Sequence, residues 1–324
     1  MTNRFEQMKI GIARAANKDN WYCKLEREDT FRHVNVSSFY YTDTGYEELM
    51  NNDIIDIAEP SFGSWHHDFI AEHPKVVATC LETSYKSLVK GMEKNGYYPE
   101  FLNERIKMFI ARSTWTRNLL MNWGIRGDKI RVVPCAVDLE QYKPNEIKNV
   151  TIACPSFVYA GSYNRNKGID VLLSQFCKVK SGSLNIIKGE FNYEKIELPD
   201  NTDFKVWKWG EVPISVFNVF VHPQSYDVGE PLQFGHPMVW AMACGLPLIS
   251  LDQGASQTHI VHGWNGFLCE TYDDIGRAMK YFIDYPEEIK RMGYNSRRRA
   301  EEYYNPQIIE KRYKEIYGEV YGSR

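Results

Sequence analysis

Two basic side chains stand where a predicted strand passes into a predicted helix. Arg165 and Lys167 follow an apolar run that ends at Gly161, and the helical pattern begins near Gly168. The amide N–H groups at the start of a helix, together with neighbouring cations, bind anions such as phosphate. The same residues also fit a solvated loop with two exposed cations. The loop by itself therefore leaves both interpretations open.

A second glycine-bearing loop follows a later strand. Gly235 precedes His236 and Pro237, and these residues open a helix that continues with the small residues AMACG. The helix start predicts N–H groups directed at a phosphate or a sugar hydroxyl, while AMACG predicts close packing of the helix on a sheet. The next strand ends at Asp252 and leads into DQGAS. Three such loops at successive strand ends favour one anion-binding edge over three unrelated turns.

Short apolar runs that alternate with segments of helical period position these loops. This alternation is typical of α/β proteins with parallel sheets. Strands are predicted over 8–13, 34–41, 53–59, 75–81, 108–112 and 129–135 in the first half, and over 156–161, 184–189, 204–210, 218–223, 246–251 and 266–270 in the second. Helices are predicted over 113–124, 167–179, 237–245, 271–285, 286–304 and 306–321.

The chain is long enough for two domains with separate cores, since it has 324 residues. Periodicity is lost over 136–156, where we expect the linker. We expect an N-terminal Rossmann-like domain over 1–145 and a C-terminal Rossmann-like domain over 151–305. Open α/β sheets bind ligands beyond the carboxyl ends of their strands. The two domains are therefore expected to face each other across a cleft that holds the functional site.

Composition excludes several classes of function. The chain carries 39 Lys and Arg against 42 Asp and Glu, and its seven cysteines form no CxxC pair. Balanced charge argues against a nucleic-acid partner, and the cysteine pattern argues for reduced thiols in the cytoplasm and against structural zinc. No apolar stretch approaches the roughly 20 residues that cross a bilayer. The sequence has no Walker loop, GxSxG motif or dinucleotide fingerprint, so no cofactor is expected. The cysteines form no Cys/His cluster, so no metal is expected either.

Several segments resemble the GT-B fold glycosyltransferases of family 4, also called glycosyl transferases group 1. FVYAGSYNRNKGIDVLL, NVFVHPQSYDVGEPLQFGHPMVWAMACGLPLIS and HIVHGWNGFLCE are similar to the C-terminal domain of that family. IARSTWTRNLLMNWGIRGDKIRVVPCAVDLEQYKP is similar to the end of its N-terminal domain and the linker. The resemblance implies transfer of a sugar from a nucleotide diphosphate with retention of anomeric configuration. It also implies a donor held by the C-terminal domain and an acceptor held by the N-terminal domain. The final helix, within 306–322, is expected to cross back and pack on the N-terminal domain.

The resemblance assigns roles to individual positions. Lys167 matches the lysine that contacts the donor diphosphate, whereas the neighbouring arginine of the family is Ser162 here, and Arg165 is expected to supply that charge. The two family glutamates, separated by seven residues, are Leu232 and Trp240 in this chain. These glutamates would hold the donor sugar and the ribose hydroxyls. The loss of such a charged acceptor costs a few kcal/mol of binding.

Other residues are candidates to complete the donor site. Asp227 and Glu230 are either substitutes for the lost carboxylates or loop charges, and Trp240 either packs under the nucleotide or fills the core. The expected donor-binding residues are therefore Gly161, Ser162, Gly168, Glu230, Gly235, His236 and Trp240, with Lys167 and Arg165 acting in catalysis at the diphosphate.

The acceptor side is expected in the first domain. Glu82 follows the fourth predicted strand, near the place where the family often has an acid-base histidine, and it is either a general base or a helix-capping carboxylate. His66 and His67 follow the third strand and are expected to bind the acceptor rather than a metal, or to be plain surface. The run Arg297–Arg299 predicts a solvated helix face, which also suits peripheral contact with anionic lipid headgroups.

The sequence thus predicts a cytoplasmic hexosyltransferase that acts from a UDP- or GDP-sugar on a sugar or a lipid-linked glycan. The alternative is a non-catalytic descendant of the GT-B fold that binds a sugar or a nucleotide. A third interpretation is another GT-B enzyme, such as an epimerase, with a different acid-base set. Transfer in addition to nucleotide binding distinguishes the first interpretation from the second.

Overall fold

The computed structural model describes residues 8–14, 38–41, 46–58, 70–80, 93–94, 96–145, 154–163, 165–188, 204–208, 210–224 and 234–323. The chain forms two compact units. Unit 1 comprises Met1–Ala136 together with Asn305–Arg324, and unit 2 comprises Val137–Tyr304. The chain therefore leaves unit 1, completes unit 2 and returns to unit 1. Across these described ranges, no helix has the length and apolar character needed to span a bilayer.

Unit 1 is built on a six-stranded parallel sheet whose central strands are rich in Ile, Val and Ala, as buried parallel strands are. In chain order the strands are β1 Ile10–Arg14, β2 Ser38–Tyr41, β3 Ile54–Ala58, β4 Val76–Cys80, β5 Ile106–Ala111 and β6 Ile130–Val132. Their spatial order is β2-β1-β3-β4-β5-β6. The first helices of the described ranges are α1 Tyr46–Met50, α2 Pro99–Arg105 and α3 Thr114–Trp123.

Helix α3 begins and ends at the residues that the sequence predicts. The Ser113 side chain accepts a hydrogen bond from the Thr116 N–H, and Gly124 follows the last turn with a left-handed φ of 115°. A serine cap satisfies one of the unpaired N–H groups of the first turn. Leu119 and Leu120 then pack in the core of unit 1 with residues of β3, β4 and β5.

Unit 2 contains a second six-stranded parallel sheet. Its strands are β7 Ser156–Gly161, β8 Ser183–Lys188, β9 Phe204–Lys208, β10 Val219–His222, β11 Leu248–Leu251 and β12 Gly266–Cys269, in the spatial order β12-β11-β10-β7-β8-β9. The chain runs outward from β7 to β9, returns to lie against β7 as β10, and runs outward on the other side. The order reverses between β7 and β10, and ligands bind at such a switch point in open α/β sheets.

The helices of unit 2 cover this sheet. They are α4 Ile169–Val179, α5 His236–Ala243, α6 Ser256–His259, α7 Tyr272–Asp284 and α8 Glu287–Tyr303. Helix α7 begins with a capping box, because the Thr271 side chain accepts from the Asp274 N–H while the Asp274 carboxylate accepts from the Thr271 N–H. Leu172 of α4 and Phe282 of α7 are buried in one core cluster with residues of β7 and β8.

The last helix, α9 Pro306–Gly322, belongs to unit 1. Tyr313 and Tyr317, four residues apart on this helix, belong to a buried polar network. The Tyr317 hydroxyl donates to Oδ2 of Asp56 on β3 at 2.7 Å, and Nη1 of Arg112 donates to the Tyr313 hydroxyl at 2.7 Å. Asp56 also accepts from the hydroxyl of Thr79 at 2.7 Å. Burial raises the pKa of Asp56, while the Tyr317 and Thr79 donors and the Arg112 cation lower it in part.

The prediction that Arg297–Arg299 forms a solvated face is wrong for two of the three arginines. The Arg297 guanidinium donates to the carbonyl oxygens of Tyr142 at 2.8 Å and Ala243 at 2.7 Å, and Arg299 donates to that of Thr258 at 2.6 Å. Only Arg298 of the three is exposed. A guanidinium group offers five donors and satisfies several carbonyl oxygens at once, so a basic run serves here as internal support.

Other local predictions are confirmed. Each predicted strand overlaps one of β1 to β12, and each predicted helix overlaps a helix of the structure. Helices α1, α2 and α6 were not predicted, because five, seven and four residues give too little helical period to recognise.

Candidate functional site at a sheet switch point

The loop that leaves β7 lies against the end of β10. Gly168 has a left-handed φ of 73°, and an added Cβ there would lie 2.7 Å from the carbonyl oxygen of Pro223. Only glycine combines this backbone conformation with so close an approach. The start of α4 is therefore held beside the residues that follow β10, at the switch point of the unit 2 sheet.

A buried tyrosine fixes the other end of the same loop. The Tyr159 hydroxyl donates to the carbonyl oxygen of Ser162 at 3.0 Å. A Cβ added at Gly161 would lie 2.6 Å from that hydroxyl oxygen, so glycine leaves room for it. Burial raises the pKa of Tyr159, which keeps its hydroxyl protonated and able to donate. The loop thus has a fixed exit from β7 as well as a fixed entry into α4.

Lys167 reaches across the switch point. Its Nζ donates to Oε1 of Gln224 at 3.1 Å, and Gln224 is only 6% exposed. Gln224 carries an amide and not a carboxylate, so this contact orients the ammonium group without cancelling its charge. Arg165 lies exposed two residues earlier, in the short 3-10 turn Arg165–Lys167. The site therefore combines a positioned cation with a second cation and the start of α4, an arrangement suited to a polyanion.

Helix α5 begins on the other side of the switch point, after β10. Gly235 precedes its first residue with a left-handed φ of 81°, and His236 is buried at its first turn. The ring of Phe234 lies edge-to-face to the His236 ring, with centroids 5.0 Å apart. Pairs of this geometry add stability beyond area burial. The start of α5 is thus anchored by packed rings and not left as a loop end.

Trp240 lies in the interior of unit 2. It is 4% exposed and stacks on Tyr142, with ring centroids 5.2 Å apart and 5° between the planes. An indole has one N–H donor and no acceptor, so it cannot replace a carboxylate that accepts from a ribose hydroxyl. At this position the chain has a packing group where the resemblance expects a glutamate.

The structure brings some of the sequence-predicted residues together. Gly161 ends β7, and Ser162, Lys167 and Gly168 follow it in the segment before α4. Gly235 and His236 lie at the start of α5, and Trp240 lies within that helix. Glu82, His66, His67, Asp227, Glu230 and Leu232 lie outside the described residues. Sequence reasoning missed Gln224 and Tyr142. Gln224 is the second residue after β10, and its place at a strand end was a signal in the sequence. No sequence signal pointed to Tyr142.

The chain is similar to known proteins, and the family match lies within unit 2. The family model described as glycosyl transferases group 1 matches residues 151–299. The chain is 26% identical over 272 residues to the capsular polysaccharide biosynthesis glycosyltransferase CapM of Staphylococcus aureus, a match that covers 74% of this chain and 69% of that protein. It is 35% identical over 97 residues to the N-acetyl-alpha-D-glucosaminyl L-malate synthase of Bacillus anthracis, covering 29% of this chain and 25% of that one.

The fold is shared with a solved structure. The crystal structure of Anabaena Alr3699/HepE in complex with UDP-glucose superposes with a TM-score of 0.71 at 16% identity, and the match covers 96% of this chain and 100% of that one. At this identity the likeness shows the fold alone.

Proposed function

Because residues 151–299 of this GT-B fold chain belong to the glycosyl transferases group 1 family, the chain is a glycosyltransferase, and we propose the reaction that it catalyses. The proposed reaction moves a hexosyl group from a UDP- or GDP-sugar to a sugar or a lipid-linked glycan, with retention of anomeric configuration. The proposal includes no metal or cofactor.

The observation that carries the proposal is the contact between Lys167 and Gln224 at the switch point. A nucleoside diphosphate leaves with increasing negative charge, and preorganised cations and N–H groups stabilise such charge in the transition state. Lys167, oriented at 3.1 Å from Gln224, is a suitable partner for that charge. Arg165 and the start of α4 at Gly168 add to the same field.

The chemistry of the relatives supports a nucleotide-sugar donor. The HepE structure holds UDP-glucose, and CapM is named as a glycosyltransferase of capsular polysaccharide biosynthesis. We therefore place UDP before GDP as the donor nucleotide and a glycan before a small molecule as the acceptor.

The remaining residues receive their roles within the same proposal. Gly161, Ser162, Gly235, His236 and Glu230 contact the donor, and Glu82 acts as the base toward the acceptor hydroxyl, with His66 and His67 at the acceptor. Trp240 acts by packing, because its ring stacks on Tyr142 in the interior.

Calorimetric titration with UDP and with GDP tests the proposal. We expect the wild-type protein to bind at least one of them, and Lys167→Ala to weaken binding about tenfold or more, the size of a lost hydrogen bond to a charged group. Lys178→Ala is the matched control, because Lys178 lies near the other end of α4 in an exposed ion pair with Asp273. Equal affinity of the Lys167→Ala and wild-type proteins would contradict the assignment.

Transfer is measured as release of the nucleotide in the presence of glycan and lipid-linked acceptors. Acceptor-dependent release is the expected result, and the anomeric proton signals of the product report retention or inversion. A protein that binds a glycan or nucleotide but transfers nothing from UDP- and GDP-sugars would be the non-catalytic binding module instead.

A further inference from the structure

We propose that His259 is a positioning residue, which holds the peptide before helix α5 and thereby sets the start of that helix for the donor. This inference rests on the proposed function, since His259 would hold in place the backbone of the same donor site. His259 is the last residue of α6 and is fully buried. It is not among the residues that the sequence patterns single out.

The two ring nitrogens of His259 have different partners. Nε2 contacts the carbonyl oxygen of Phe234, and Nδ1 lies 2.6 Å from the Tyr304 hydroxyl oxygen. A carbonyl oxygen can only accept, so Nε2 must carry a proton and donate to it. In the neutral ring Nδ1 then accepts from the Tyr304 hydroxyl. The partners thus select one tautomer, with the proton on Nε2.

The backbone that carries this ring is itself held. Arg299 donates to the carbonyl oxygen of Thr258 at 2.6 Å, and Nδ2 of the buried Asn265 donates to that of His259 at 3.1 Å. Oδ1 of Asn265 accepts from the Val261 N–H at 2.7 Å. A side chain keeps a defined position when hydrogen bonds fix the backbone that carries it. These contacts therefore fix the position of the His259 imidazole relative to Phe234.

The hydrogen bond to the Phe234 carbonyl oxygen fixes the backbone directly before α5. The peptide that joins Phe234 to Gly235 is planar, so fixing the direction of its C=O also fixes that of its N–H. Gly235 has a left-handed φ. A glycine can adopt many backbone conformations, so this residue alone does not fix the direction of the chain. The hydrogen bond from His259 to the Phe234 carbonyl oxygen selects one of these conformations. The Phe234 ring adds to this, since it lies edge-to-face to the rings of His236 and His259.

The first test compares two amides at position 259. In His259→Gln the side-chain amide nitrogen falls near the place of Nε2 and still donates to Phe234, whereas the shorter chain of His259→Asn ends near Nδ1 and loses that donor. We expect His259→Asn to raise KM for the nucleotide sugar about tenfold with a smaller effect on kcat, and His259→Gln to recover most of the loss. A folded His259→Asn protein with the wild-type KM would overturn the proposal, as would equal losses in both variants.

The second test requires neither a nucleotide-sugar donor nor a measurement of enzyme activity. Nitrogen NMR of the wild-type protein reports which ring nitrogen of His259 is protonated, and we expect the proton on Nε2. Hydrogen exchange of the amides at the start of α5, compared between wild type and the His259→Gln protein, should be similar, and faster in His259→Asn. A ring protonated on Nδ1 alone overturns the proposal even if His259→Asn does not fold. If the tautomer and exchange results hold while UDP and GDP do not bind to the wild type, the proposed function fails and the positioning contact stands.

Discussion

The indole of Trp240 lies parallel to the phenol ring of Tyr142, with 5.2 Å between their centroids. Tyr142 is in turn held through its carbonyl oxygen by Arg297, which also donates to the carbonyl oxygen of Ala243 near the end of α5. The stack therefore joins the first segment of unit 2 to the helix that begins at the candidate site. The aromatic residue at this position stabilises α5 by packing.

Trp240→Ala should destabilise unit 2 without a specific effect on nucleotide binding. We expect a loss of about 3–5 kcal/mol in unfolding free energy, the range for removing a large buried aromatic ring. Urea unfolding followed by circular dichroism measures it. Tyr294→Ala is the control, because that ring is 71% exposed, and it should change stability by about 0.5 kcal/mol or less. A Trp240→Ala protein with wild-type stability but no affinity for UDP would place the indole at the nucleotide.

Gly168→Ala should damage both stability and nucleotide binding. The new Cβ would meet the Pro223 carbonyl oxygen at 2.7 Å and would also force a non-glycine residue to a φ of 73°. Gly210→Ala is matched, since Gly210 has a φ of 86° and no described atom within 4 Å of an added Cβ. The left-handed conformation costs about 1–2 kcal/mol in both variants, and overpacking adds about 1–3 kcal/mol at position 168. Denaturation and UDP titration of the pair measure the difference. Equal losses would show that the approach to Pro223 is easily relaxed.

Gln224→Glu should weaken nucleotide binding more than removal of the amide does. A carboxylate beside the Lys167 ammonium neutralises the charge that the diphosphate requires and also repels the diphosphate. At an effective dielectric constant near 20, the added repulsion is enough to weaken UDP binding about tenfold. Gln224→Met removes the amide oxygen without adding charge, so its effect should be smaller. Titration of both variants at low and high salt measures this. Tighter UDP binding by the Gln224→Glu protein would contradict a role for Lys167 at the diphosphate.

Tyr317→Phe should destabilise unit 1 in a way that grows as pH rises. Burial raises the pKa of Asp56, and the Tyr317 hydroxyl is one of the groups that lower it. Without that donor the folded-state pKa rises further above the unfolded value, so the folded chain holds a proton that the unfolded chain has released. Unfolding free energy then falls with increasing pH across that window.

The expected cost of Tyr317→Phe is smallest at acidic pH, where Asp56 is protonated, and grows with rising pH toward about 1.5–3 kcal/mol, the size of a hydrogen bond to a charged group. Urea unfolding at several pH values measures it. Tyr321→Phe is the control on the same helix, because its ring faces the Lys75 ammonium and a phenylalanine keeps that contact. A cost that does not change with pH would mean that Asp56 keeps one protonation state across the range.

The sequence predicts local structure well and contacts between distant segments poorly. Ser113 and Gly124 identify α3 because caps act within a single turn, and the apolar runs identify each strand because burial is periodic. The pair Lys167 and Gln224 is separated by 57 residues and meets only because β7 and β10 are neighbours. His259 shows the same limit, since its partners Phe234 and Tyr304 lie before α5 and after α8, far from it in sequence. Arg297 was assigned to solvent because a charge run carries no signal for the carbonyl groups that it reaches.

The return of α9 to unit 1 sets an order of events during synthesis. Unit 2 is continuous in the chain, so its sheet can close while it emerges from the ribosome. Unit 1 must wait, because Tyr313 and Tyr317 follow unit 2 in the chain and their hydroxyls are partners of Arg112 and Asp56. Until then Arg112 and Asp56 lack these hydrogen-bond partners, so the core of unit 1 is incomplete. A premature stop before residue 305 would therefore damage the portion of the protein that is made first.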